Sequence, residues 1–315
     1  MIRRILVPLD GTDLAEAALP AAAALCAKLS AAVVLVHLLE KRAPRAVHGR
    51  PHLATAGAAE TYLNEVAARR FPEQLKVEVH VHSEGVVDVA ASITAYAEQA
   101  PESGSELIVM CAHGGRTTRE ALMGALAQRV TARGRTPVLV VRASAPGAAA
   151  GFRLASVLAP LDRDPGHAGA LEPAAELAAA FGAAVRLLLI VPTFGTLSGR
   201  WVSTGRFLPG TTARMLDLSV EEERKFLEER TAALRSLGLQ VSAEVARGDP
   251  ARAIAGAAGR LQPDLIVLGT HGRRGLGAVW EGSVASKVFR RCRQPLLLVP
   301  AGTPIAGTSI SSSLP

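Results

Sequence analysis

The stretch Leu265-Ile-Val-Leu-Gly-Thr-His-Gly272 repeats Leu107-Ile-Val-Met-Cys-Ala-His-Gly114 of the same chain, and that repetition decides how the whole sequence is read. In both copies a continuous apolar run ends on small residues, a histidine and a glycine. Such a run is a buried strand delivering its carboxyl end into a turn. Working outward, three more segments recur in the same order. Ile5-Leu-Val-Pro-Leu-Asp10 returns as Val157-Leu-Ala-Pro-Leu-Asp162, and Ala31-Ala-Val-Val-Leu-Val returns as Ala183-Ala-Val-Arg-Leu-Leu. Thr136-Pro-Val-Leu-Val-Val141 returns as Gln294-Pro-Leu-Leu-Leu-Val299. Four matches in one order make the chain two homologous halves.

Each half alternates short apolar runs with longer helical patterns. The first half predicts strands near 3–9, 32–38, 75–82, 106–111 and 137–142, with helices near 13–29, 58–70, 86–99 and 122–133. The second predicts strands near 153–159, 184–190, 239–246, 264–268 and 295–299, with helices near 166–181, 215–237, 250–261 and 283–291. Alternating βα units imply an α/β fold: two tandem doubly wound open parallel sheets of five strands, with right-handed crossovers. The expected domains are 1–143 and 152–301, joined by an Ala/Ser/Pro/Gly linker at 144–151 and followed by a disordered tail at 302–315. The loops at about 40–57 and 192–213 are long for a compact domain, which leaves open mobile flaps beside a ligand site or plain disorder.

Composition narrows the class. The 315 residues are 49% hydrophobic and 20% charged, the balance of a globular chain. Cys26, Cys111 and Cys292 are odd in number and widely spaced, which suits a reducing cytosol better than a disulfide framework. No secretion signal is evident and no apolar run reaches the roughly 20 residues of a membrane span, so a cytoplasmic location is expected. The formal charge of +7 raises a nucleic-acid partner, but the arginines are scattered and lack interleaved aromatics. A solvated basic surface is the better reading.

In an open α/β sheet, ligands sit beyond the carboxyl ends of the strands where the winding reverses. With strands ordered 3-2-1-4-5, the first and fourth flank that point. Asp162 ends the first strand of the second half, and a glycine-rich segment from Gly269 to Ser283 follows the fourth. Gly269 and Gly272 allow backbone N–H groups to approach an anion. Gly282-Ser283 opens a helix whose first N–H groups are unpaired. The Ser283 hydroxyl can donate to a phosphate or serve as the helix cap. Arg273 and Arg274 can reach phosphates or remain in solvent.

The spacing Gly269-x2-Gly272-x9-Gly282-Ser283, followed by Val284-Ala-Ser-Lys287 and Pro295-Leu-Leu-Leu-Val299, resembles the ATP-binding universal stress proteins (UspA-like). The resemblance covers nearly the whole chain, in two copies. It implies the adenine nucleotide α-hydrolase-like fold and an adenine nucleotide ligand: ATP, or ADP or AMP, with Mg2+ carried on the phosphates. By that likeness Asp162 and Ile190, with Pro160 and Leu161 beside them, hold the base. Gly269 lies against the ribose, while Gly272, Arg273, Gly282, Ser283 and Val284 hold the phosphates. Related single-domain proteins pair through the edge of the fifth strand. The two halves are therefore expected to form an intramolecular pseudo-dimer through 137–141 and 295–299, and further pairing of two chains is left open.

The first half departs from the pattern. Asp10, Leu38, Gly114 and Gly124 keep their places, but Cys111 stands where Gly269 stands and Ala125 replaces Ser283. One lost hydrogen bond to a charged acceptor is worth about 1.5–3 kcal/mol, or roughly 10- to 150-fold in affinity. A weaker or vacant first site is expected. Cys111 reads as a small buried residue, with a redox-sensitive thiol as the sharper alternative.

Several chemistries are missing. There is no G-x4-G-K-[ST], G-x-G-x-x-G after a first strand, H-E-x-x-H or G-x-S-x-G. His113 and His271 shape their loops, and His80 and His82 share a strand face without a third ligand for a metal. Asp162 could act as a general base, although contacting a base or forming a turn suits it better. No catalytic or metal-binding residue is assigned. The leading expectation is a nucleotide-responsive regulatory module with slow or absent turnover. Its rivals are an ATP hydrolase or nucleotidyl transferase on the same fold, and an adaptor that binds no nucleotide.

Overall fold

The computed structural model describes residues 1–43, 46–47, 50–99, 105–112, 125–143, 151–162, 165–191, 193, 209–270 and 283–301. The linker except Gly151, the tail from 302, and Gly114, Gly124, Gly272, Arg273 and Gly282 therefore lie outside the described residues. So do His113, His271 and Arg274.

The strands of the first half are β1 (Ile2–Pro8), β2 (Ala32–Glu40), β3 (Ala46–Val47), β4 (Arg50–Pro51), β5 (Val77–Val86), β6 (Ser105–Ala112) and β7 (Val138–Arg142). Those of the second are β8 (Ser156–Leu161), β9 (Ala184–Val191), β10 (Val241–Arg247), β11 (Leu265–Thr270) and β12 (Leu296–Pro300). Apart from the small β3–β4 ribbon, all join one ten-stranded sheet in the order β10-β9-β8-β11-β12-β7-β6-β1-β2-β5. Read from either edge inward, each half has the order 3-2-1-4-5. Within the ten-stranded sheet every pairing inside a half is parallel, and the halves meet where β12 pairs antiparallel with β7, Leu297 opposite Leu139. The two fifth strands thus cover each other's edges.

Helices cover both faces, which is why the strands are apolar throughout. Alternate residues of one strand enter different cores: Ile5 and Val7 join one, Leu6 the other. The first core receives α2 (Leu19–Leu29), α3 (Ala56–Arg70), α6 (Leu171–Phe181) and α7 (Pro209–Ser236). The second receives α4 (Val89–Glu98), α5 (Ala125–Arg133), α8 (Pro250–Leu261) and α9 (Val284–Arg291). Asp88 caps α4 and Asp249 caps α8, with Pro250 following at the first helical position.

Three expected elements differ. The helix predicted over 13–29 is split into α1 (Asp13–Glu16) and α2, because Pro20 in the first turn of α2 has no N–H to continue an earlier helix. The helix predicted over 166–181 likewise becomes a 3-10 turn, Pro165–Ala170, followed by α6 with Pro173 in its first turn. The first strand of the second half begins at Ser156 rather than 153. Leu154 is buried and Phe152 packs edge-on against Phe181 at 6.1 Å, so their apolar character serves packing outside the ladder.

The junction is asymmetric. Arg142 of β7 donates to the carbonyls of Phe289 and Cys292 at the end of α9, and its guanidinium lies 3.8 Å from the Phe289 ring centroid. The position matching Arg142 in the second half is Pro300, which has no such group to return. At the other end, the backbone N–H of Ile2 donates to Glu176 of α6.

Candidate functional site

In each half the first and fourth strands part before they end. The β1–β6 pairing runs from Ile2–Ser105 to Leu6–Ile108, and the β8–β11 pairing covers only Val157–Leu265 and Leu158–Ile266. Beyond those pairs the carboxyl ends diverge and open the switch-point crevice. Asp10 and Asp162 stand directly after β1 and β8, at the mouth of each.

In the first half the crevice holds a cavity of about 230 Å³, with Leu9, Leu38, Ile93 and Met110 among its apolar walls and Asp10, Glu40 and His52 among its polar ones. Thr12 fixes Asp10: its N–H and hydroxyl donate to Oδ1 at 3.0 and 2.6 Å, and its Oγ1 accepts from Ala15 to cap α1. Cys111 lines the same cavity, and burial pushes its thiol up to about 12, which keeps it protonated and unreactive. Cys111 is small, as expected from the sequence, but only partly buried.

The chain after β2 folds back over this cavity. His37 is buried, with Nδ1 2.7 Å from the Leu9 carbonyl and Nε2 3.1 Å from that of Leu53. Both partners are acceptors, so a neutral ring satisfies one and only the imidazolium donates to both. The His52 side chain is only 3% exposed, 3.5 Å from Glu40. Its ring nitrogens make no hydrogen bond among the described residues. Leu53 also packs over Gly11, whose φ of +86° is left-handed; a Cβ there would come within 3.1 Å of the leucine. At least this part of the 40–57 loop is a strap laid across the site.

In the second half the equivalent aspartate is held differently. His167, from the 3-10 turn, places Nδ1 2.7 Å from Asp162 Oδ2. The carboxylate is half exposed, while the imidazole is 17% exposed. A Cβ added to Gly269 would meet the His167 Cβ at 2.7 Å and its Cα and Cγ at 3.0 Å, closer than real Cβ contacts come. The residue matching His167 in the first half is Ala15, and the one matching Gly269 is Cys111. The halves have exchanged sizes at the matching positions: Ala15 and Cys111 line one cavity in the first, and His167 fills the space beside Gly269 in the second.

Ser283 is the cap of α9, its Oγ accepting from the Ser286 N–H at 3.1 Å. Its hydroxyl proton remains able to donate, so the two roles considered for it are compatible. Val284 opens the helix with 39% of its surface exposed, and the first turn carries no acidic residue that would repel an anion. Pro160 and Leu161 end β8, and Ile190 lies near the end of β9 opposite Ala246. Asp162, His167 and Gly269 are in one cluster. His80 and His82 lie well away, on β5, where His80 stacks on Tyr96 at 4.6 Å. Sequence reasoning missed His37, His52, Leu53 and His167. The last had a signal, because the Ala15–His167 and Cys111–Gly269 differences fall on the same pair of elements.

A doubly wound α/β unit with an aspartate at the switch point is present twice in one sheet, so the chain is a tandem of two such units. The profile of the universal stress protein family matches residues 1–142 and again 155–300, and the chain belongs to that family. A relative, Universal stress protein MJ0531 of Methanocaldococcus jannaschii, is 32% identical over 90 residues, 29% of this chain and 53% of that protein. The chain thus spans about half the length of this relative. The crystal structure of a universal stress protein from Archaeoglobus fulgidus aligns with a TM-score of 0.64 at 17% identity, covering 95% of this chain and 96% of that one. A functionally unknown protein, PA1789, from Pseudomonas aeruginosa aligns at 0.61 and 18% identity, covering 95% and 93%. At these identities the structures establish the shared tandem fold. Among the described residues, no helix is long and apolar enough to cross a membrane.

Proposed function

We propose that the chain is a nucleotide-responsive regulatory module that holds an adenine nucleotide mainly in its second half. The observation that carries this reading is the Gly269-x2-Gly272-x9-Gly282-Ser283 series, which ends on the cap of α9. A helix start with a hydroxyl at its cap and no acidic residue in its first turn is suited to phosphate oxygens. Asp162, half exposed at the switch point, offers its carboxylate to the N–H groups of a base. The phosphates would bring Mg2+ with them. The chain's own contribution is to bind and orient, and no residue is assigned to move a proton or attack a phosphate. ATP is the nucleotide the resemblance favours, and the first half, lacking the Ser283 hydroxyl, is the weaker site.

Calorimetric titration of Mg-ATP into nucleotide-free protein tests this, with equilibrium dialysis as a check against thermally silent binding. Saturable binding, together with no multiple-turnover phosphate release, is expected. Absence of binding by both methods would overturn the reading in favour of an adaptor. Sustained phosphate release would replace it with a hydrolase.

A further inference from the structure

The residues described fit a nucleotide at Asp162 and Ser283 but not, as they stand, at Gly269. The face that a missing Cβ leaves bare there is already occupied by the His167 side chain. His167 also holds Asp162 Oδ2, an acceptor that a base N–H would otherwise use. Among the described residues of the first half neither contact is present: Ala15 replaces the histidine, and Thr12 donates to Asp10 at Oδ1. The 3-10 turn carrying His167 packs against β8, β11 and β12, so its backbone is anchored and the side chain is the part able to swing.

We propose that His167 sets the affinity of the second site: its imidazole stands against Gly269 and on Asp162, where a ligand would lie, and a nucleotide enters by displacing it. The proposal rests on nucleotide binding by the second half. A ligand that supplies an N–H donor to Asp162 repays the displaced contact, and because every nucleotide displaces the same imidazole, the cost falls on all of them alike. Gly269 then leaves His167 the space that its side chain takes.

The first test needs no ligand. Gly269→Cys, which installs the residue of the first half against His167, lowers the melting temperature of the full chain. Adding His167→Ala, which installs its partner, restores most of the loss. Two independent, additive losses would overturn the contact. The second test is competition binding of Mg-ATP and Mg-ITP to the wild type and His167→Ala, with His167→Ser as a second small variant and melting curves to confirm folding. Because a hydrogen bond to a charged group is worth about tenfold or more, ATP and ITP binding are each expected to tighten about tenfold in both variants, leaving the ATP/ITP ratio unchanged. If the wild type binds ATP and neither variant binds more tightly, the gate is overturned while the nucleotide reading stands. If no form binds ATP, both are overturned.

Discussion

The two halves share a strand order and differ in how they treat the same positions. Asp10 is fixed by Thr12 and faces a cavity under the His52–Leu53 strap, whereas Asp162 is fixed by His167, which fills the space over Gly269. Thr131 on α5 corresponds to Phe289 on α9. Glu106, buried 3.7 Å from Arg4 at the start of β6, corresponds to Asp264, which accepts from the Ala155 and Ser156 backbone at 2.7 and 2.9 Å. The halves keep the strand order and the switch-point aspartate and differ in the side chains packed around them. The halves are therefore best compared position by position, because each difference is an experiment already performed on the same scaffold.

The largest difference expected is in packing. Phe289 is fully buried beneath Arg142, so Phe289→Ala should cost about 3–5 kcal/mol in chemical denaturation. Thr131→Ala, which removes one hydroxyl bonded to the Ala127 carbonyl, should cost about 1 kcal/mol. Equal losses would mean that the junction does not lean on α9.

Next comes pH. Burial raises the Glu106 carboxyl from 4.5 to about 7, with Arg4 only partly opposing it. The folded state then holds a proton that the unfolded state has released, so stability falls as pH rises from about 4.5 to about 7 and levels off above that. The shift corresponds to a loss on the order of 3 kcal/mol. Glu106→Gln should flatten that slope, and Asp264→Asn should leave it in place. Parallel pH profiles for the wild type and Glu106→Gln would remove this contrast.

These contrasts mark what could be read from the residues in advance. The repeat was legible because buried parallel strands are continuous apolar runs, whereas the strand order and the pairing of the fifth strands came with the family resemblance. Asp162 and Gly269 were legible as neighbours through the switch-point rule. The breaks before α2 and α6 were not, since apolar spacing continues across them and only Pro20 and Pro173 mark a new first turn. His167 and His37 were hidden for a different reason. Their partners, Gly269 and the Leu53 carbonyl, are brought to them by tertiary packing, which local pattern does not encode.

The smallest effect sharpens the comparison at the helix starts. Ser283→Ala should destabilise the second half by about 1 kcal/mol through loss of the bond to Ser286, while also weakening nucleotide binding. Ala125→Ser should leave stability within about 0.5 kcal/mol and raise whatever affinity the first half has. Thermal melts and titrations on the same samples separate the two consequences. If Ser283→Ala alters stability but not binding, its hydroxyl is a cap alone.

The central claim is that the halves are unequal as nucleotide sites. Its most direct test is the stoichiometry of Mg-ATP binding to the full chain, measured by equilibrium dialysis for the wild type, Gly124→Asp and Gly282→Asp. The account predicts one high-affinity nucleotide per chain, kept in Gly124→Asp and lost in Gly282→Asp. Two equivalent nucleotides, or a single one lost in Gly124→Asp and kept in Gly282→Asp, would contradict it.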